Sequence, residues 1–79
     1  MGRSDRVTNT KVTNSIRALR FAHGELTQAE LAERIGVTRQ TVIAIEQGRY
    51  SPSLEMAFQI ARAFSVPLDE VFQYPDAPD

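Results

Sequence analysis

From Val12 onward, apolar side chains recur every three or four positions, the period of one face of an α-helix. No stretch of useful length alternates as a strand does. The pattern predicts a first helix starting near Val12, with Ile16, Leu19, Phe21 and Ala22 on its stripe and Thr13 or Asn14 as its cap. His23 in the last turn and Gly24 after it close that helix. Thr27-Gln28-Ala29-Glu30 is a capping box opening a second helix, with Leu26 and Leu31 placed as a hydrophobic staple. Leu31, Ala32 and Ile35 form its buried stripe, and Gly36 stops it. Thr38 caps a third helix that runs to about Gln47, and Gly48 ends it.

Arg49-Tyr50-Ser51-Pro52-Ser53 reads as a loop. Ser53 then caps a fourth helix from Leu54 to about Phe64, with Leu54, Ala57, Ile60, Ala61 and Phe64 on one face. Pro67 opens a short fifth helix from Leu68 to about Phe72, with Asp69 and Glu70 in its first turn. The fold class expected is all-α, a compact five-helix bundle. Residues 1–11 have almost no apolar content and read as a flexible basic arm. Residues 12–74 form the domain, and 75–79 an acidic, proline-rich tail.

With 79 residues there is room for one domain. There is no cysteine, so disulfides and cysteine-ligated zinc are excluded, and a reducing cytoplasm fits. No apolar run approaches the roughly 20 residues of a membrane span. One histidine, no glycine-rich phosphate loop and no carboxylate pair argue against an enzyme, a metal site or a cofactor. The net charge of −1 hides a segregation. Residues 1–49 hold eight basic side chains against five acidic, whereas 50–79 hold Arg62 against five acidic. The local field favours an anionic partner near the first half.

The second and third helices are joined by Gly36-Val37-Thr38, a helix-turn-helix spanning 28–47. Ala32 is small where the helices cross, and Gly36 supplies a backbone angle other residues resist. Val37 fills the corner, while Val42 and Ile45 pin the third helix inward. Thr38, Arg39, Gln40, Thr41, Ile43, Ala44 and Gln47 are left on or near the outside. A major groove admits such a helix. Arg39 can fork onto guanine, Gln40 can pair with adenine, and Ile43 and Ala44 can meet a thymine methyl. Gln28, at a helix N-terminus, suits a phosphate and can brace Gln40. Thr38, Thr41, Gln47, Arg49 and Tyr50 are further phosphate candidates.

LTQAELAERIGVTRQTVIAIEQGRYSPS resembles the helix-turn-helix of the phage repressor and Cro-type family, also called the XRE family, and in particular its short stand-alone prokaryotic regulators. The likeness covers roughly residues 12–73. It implies a five-helix, lambda-repressor-like DNA-binding domain. It implies base readout at Arg39, Gln40 and Ala44, aided by Thr38, Thr41 and Ile43, and phosphate contact at Gln28, Gln47 and Arg49. It also implies a buried ion pair between Arg20 and Glu46, and both residues, set beside apolar neighbours, need partners. Two positions depart from the pattern. Glu25 reads as a one-residue insertion, and Ala44 cannot hydrogen-bond to a base.

The function expected is a transcriptional regulator of double-stranded DNA, a repressor acting as a homodimer on an inverted repeat, with no small-molecule ligand evident. Met56, Phe58, Phe64, Val66, Val71, Phe72 and Tyr74 are the surplus apolar residues offered for a two-fold interface. Arg3, Arg6 and Lys11 are offered as an arm that reaches around the duplex. The rival reading is an antitoxin or other protein-binding module on the same fold.

Overall fold

A computed structural model of the chain describes residues 10–49 and 51–75. Arg3 and Arg6 of the arm, Tyr50 and residues 76–79 of the acidic tail lie outside the described residues. The order is β1 (Thr13–Asn14), α1 (Ile16–Ala22), α2 (Gln28–Ile35), α3 (Arg39–Glu46), α4 (Leu54–Phe64), α5 (Leu68–Val71) and β2 (Phe72–Gln73). The five helices form a compact bundle that contains the helix-turn-helix.

Local capping chemistry sets most boundaries. Thr27 Oγ1 accepts from the Glu30 backbone N–H at 3.0 Å, and Glu30 Oε1 accepts from the Thr27 N–H at 2.9 Å. Those bonds, led by the one from the Thr27 backbone, hold the Glu30 carboxyl below the usual carboxylate range. Thr38 Oγ1 accepts from the Thr41 N–H at 3.3 Å, and Ser53 Oγ accepts from the Met56 N–H at 3.1 Å. Gly36 ends α2 at φ +77°, in the left-handed region, and a Cβ there would meet nothing within 4 Å. Glycine is therefore favoured by the backbone angle and not by crowding.

The core gathers Ile16 from α1, Leu26 before α2, Leu31, Ala32 and Ile35 from α2, Val42 and Ile45 from α3, Ile60, Ala61 and Phe64 from α4, and Val71 from α5. Val37 packs half-buried against it at the corner of the motif.

Five expectations need correction. The first helix does not start near Val12. Thr13 and Asn14 instead pair antiparallel with Gln73 and Phe72, and the Ser15 N–H donates to the Val71 carbonyl at 2.8 Å. That pairing draws the backbone before Ile16 away from helix. Asn14 still serves the helix start, because its Oδ1 accepts from the Ile16 N–H at 3.1 Å. Phe72 correspondingly leaves the fifth helix, which ends at Val71. Phe21 and Ala22 are exposed, so the inner stripe of α1 is only Ile16 and Leu19. Leu54 is 67% exposed and lies outside the α4 core face. Finally, Phe64 and Val71 are fully buried and unavailable to any interface, whereas Phe58 and Tyr74 remain exposed.

Candidate nucleic-acid interface

With Val42 and Ile45 buried, the α-helical period of about 100° per residue puts Arg39, Gln40, Ile43, Ala44 and Gln47 on one outward arc of roughly 140°. Arg39, Gln40 and Gln47 are exposed, and Ile43 and Ala44 are half-buried. The arc thus carries a guanidinium and two amides around a small apolar centre. Such a surface can donate to base edges and contact methyl groups at once. Thr38 and Thr41 flank its start, their hydroxyls 3.1 Å apart.

The opposite flank is a hydrogen-bonded clamp centred on Glu46. Arg20 Nε donates to Glu46 Oε2 at 2.7 Å, and Arg20 Nη2 donates to Oε1 at 3.2 Å. The two side chains are only 12% and 10% exposed. A third nitrogen, Nη1, donates to the Leu26 carbonyl at 3.0 Å. One guanidinium therefore ties α1, the loop before α2 and the end of α3. Its planar fork fits the carboxylate in a way that a lysine cannot reproduce. Gln28 joins the cluster, its Nε2 donating to Glu46 Oε1 at 3.1 Å. Among the described residues no hydrogen bond links Gln28 to Gln40, so the expected brace is replaced by one onto Glu46. The second amide hydrogen of Gln28 stays available for an anion.

Sequence reasoning missed a further clamp. Asn14 Nδ2 donates to the carbonyls of Ile45, at 2.9 Å, and Glu46, at 3.4 Å. The Glu46 carbonyl thereby gains a donor, and the Ile45 carbonyl, which already accepts from the Gly48 N–H at 3.0 Å, gains a second one. Asparagine before a helix signals a cap in sequence, and nothing local signals this second use. Beyond α3, Gly48 takes φ +72° and the Arg49 N–H donates to the Ala44 carbonyl at 3.0 Å. Arg49 is exposed beside this turn. The Thr10 N–H donates to the Gly48 carbonyl at 3.1 Å, which lays the start of the described chain against the end of the motif. No group of three or more histidine, cysteine or acidic side chains among the described residues is arranged for a metal ion. No helix among them is long and apolar enough to cross a membrane.

Comparison with known proteins agrees with this geometry. The helix-turn-helix family matches residues 16–71. A helix-turn-helix-type transcriptional regulator of Methanocaldococcus jannaschii is 49% identical over 63 residues, which cover 80% of this chain and 94% of that one. The cryptic phage CTXphi transcriptional repressor RstR of Vibrio cholerae is 39% identical over 59 residues, 75% of this chain and 52% of that one. The crystal structure of a Bacteroides fragilis protein superposes with a TM-score of 0.69 at 24% identity, covering 78% of this chain and 98% of that one, a likeness of fold. The chain belongs to the helix-turn-helix family and is a DNA-binding transcriptional regulator.

Proposed function

We propose that the chain is a repressor that binds an inverted-repeat operator as a homodimer, each copy laying α3 in a major groove. The observation that carries this reading is the outward arc of Arg39, Gln40, Ile43, Ala44 and Gln47, which the core leaves uncovered. Arg39 and Gln40 read bases, with Thr38, Ile43 and Ala44 completing the surface. Gln28, Thr41, Gln47, Arg49 and Tyr50 hold phosphates, which set register without carrying sequence information directly. Ala44 offers only methyl contact, so specificity leans on Arg39, Gln40 and the shape of the duplex.

A second copy supplies what one small module lacks in contacts. The face best suited to it is apolar and exposed. Val12, Leu68 and Phe72 line two adjoining grooves, extended by Tyr74 on one side and by Pro52 and Leu54 on the other. Leu54 and Tyr74 are about two-thirds exposed, an uncommon arrangement for large apolar groups that have no partner. Repression follows as occlusion, since a dimer covering two successive major grooves blocks a promoter. The similarity to a phage repressor supports that sign of regulation.

The test is selection of bound sequences from randomised duplex DNA with wild type and Arg39→Ala. The expected result is an inverted repeat for wild type and a loss of about 1–3 kcal/mol at one base position per half-site in the variant. No enrichment at moderate salt would overturn the reading and turn attention to a protein partner.

A further inference from the structure

We propose that Thr10 is a positioning residue for DNA binding: it staples the loop after α3 on both sides of Arg49 and so holds that side chain in place for a phosphate. This role rests on the DNA-reading function proposed above and adds to it a residue that acts through the loop.

Thr10 stands outside the helix-turn-helix, ahead of β1, but its long-range bonds run to the loop that follows α3. Its backbone N–H donates to the Gly48 carbonyl at 3.1 Å. Its side-chain oxygen accepts from the Ser51 hydroxyl at 2.8 Å. Along the chain those two bonds bracket Arg49 and Tyr50, the loop positions proposed to hold phosphates. A hydroxyl oxygen has two lone pairs, and the Thr10 oxygen also accepts from the Val12 N–H at 3.1 Å. That bond fixes the side chain within its own segment. Thr10 is half-buried, whereas Arg49 and Ser51 are exposed.

The α3 side holds the start of the loop through its own backbone. The Gly48 N–H donates to the Ile45 carbonyl and the Arg49 N–H to the Ala44 carbonyl, each at 3.0 Å. The far side has no such support until Ser53 caps α4. Among the described hydrogen bonds, the one from Ser51 to Thr10 is the only one made by residues 51 and 52. Without it the loop is tethered at one end. A loop already ordered loses less entropy when it meets its ligand. Thr10 also lies at the edge proposed to face DNA. A polar groove of about 340 Å³ separates it from the end of α3, and Gln47, another proposed phosphate contact, lines that groove with it. Phosphate contacts set affinity and carry no sequence information directly, so the staple governs strength of binding and leaves the choice of sequence to α3.

The experiment uses the full chain and two duplexes, one enriched from a randomised pool and one of unrelated sequence. Thr10→Val keeps the shape and the backbone N–H but removes the oxygen, and Ser51→Ala removes the donor from an exposed position. Affinities are measured from about 50 to 200 mM salt. Each variant is expected to make the slope of log K against log salt shallower by up to about 0.9 per half-site, roughly three- to fourfold in affinity across that range. The change is expected on both duplexes, with the enriched sequence unaltered. Thr10→Ser keeps the oxygen and is expected to restore the wild-type slope. The Arg49→Gln background separates positioning from stability. There Thr10→Val is expected to add no further change in slope, because the charge it positions is gone. A wild-type slope for Thr10→Val and Ser51→Ala would overturn the role. So would a further change in the Arg49→Gln background, or a loss of affinity that tracks the urea midpoint while the slope stays at the wild-type value. If wild type enriches a sequence and Thr10 is silent, only this role falls. If wild type enriches nothing, the proposed function falls with it.

Discussion

Glu46→Ala is the perturbation that most directly tests how α3 is held. The change removes the acceptor of two Arg20 bonds and one Gln28 bond. The guanidinium keeps only the Leu26 carbonyl, and its side chain is 12% exposed. Removing one partner of a buried ion pair costs about 3–5 kcal/mol, because the other charge is left without compensation. Residual contact with water places this site near the lower end, at about 3 kcal/mol. For a domain of this size that is a melting-point loss of roughly 12–24 °C. The assay is urea unfolding followed by far-ultraviolet circular dichroism. The midpoint is expected to fall while the slope stays constant, the sign of a changed stability and an unchanged unfolded state. The paired variant Arg20→Met/Glu46→Leu separates the charge from the packing. It is expected to lie within about 1 kcal/mol of wild type, since apolar replacements of a whole buried pair are often neutral or stabilising. A loss below about 1 kcal/mol for Glu46→Ala would assign the pair the strength of a surface contact and refute the reasoning. So would a double variant as unstable as the single one.

Other positions give sharper local tests. Ser65 caps α4 at φ +58°, in the left-handed region; Ser65→Gly is expected to raise stability by up to about 1 kcal/mol, read as a higher urea midpoint. Thr27→Ala removes the acceptor of the capping box and is expected to cost about 1 kcal/mol in the same assay. The folded Glu30 carboxyl is depressed, so its contribution is present above the unfolded pKa and fades as pH falls through the folded value. Urea midpoints from pH 7 to pH 3 should therefore fall less steeply for Glu30→Gln than for wild type. Phe64→Ala, at the centre of the core, is expected to cost about 3–5 kcal/mol and to leave no cooperative melt near physiological temperature.

The helix-turn-helix was legible because its determinants are local. Thr27 bonds Glu30, Thr38 bonds Thr41, and Gly36 turns the chain by its own backbone angle. Each of these acts within about one helical turn, the range over which sequence periodicity and capping rules operate. The same locality made Val42 and Ile45 readable as anchors, and with them the outward arc. What escaped depends on residues far apart in sequence. Thr13 and Gln73 are separated by 60 positions, and Asn14 reaches a carbonyl 31 positions away. A two-residue strand carries no period, so only its distant partner defines it. The wide stripe of α4 was ambiguous for a related reason. Leu54, Ala57, Phe58 and Ile60 are all apolar, and the sequence does not say which edge the neighbouring helices cover. The structure covers Ala57 and Ile60 and leaves Leu54 and Phe58 outside.

That division has a consequence for function. The residues proposed to read DNA sit on α3, whereas the apolar face proposed for a second copy is built from Val12 just before β1, the loop before α4, α4 itself, α5, β2 and Tyr74. The two surfaces are joined through Asn14, which belongs to β1 and holds the last carbonyls of α3. Asn14→Ala should therefore affect both. It removes the side-chain donor to the Glu46 carbonyl and the acceptor for the Ile16 N–H, at about 1–3 kcal/mol for groups left unpaired, while the Ile45 carbonyl keeps the Gly48 N–H. It also loosens the angle between the reading helix and the dimer face. Half-site spacing in the selected DNA depends on that angle. Asn14→Ala is expected to broaden the spacing recovered in selection beyond the effect of an equally destabilising core change such as Ile60→Val. Identical spacing in the two variants would separate the end of α3 from the dimer geometry and leave Asn14 a cap alone.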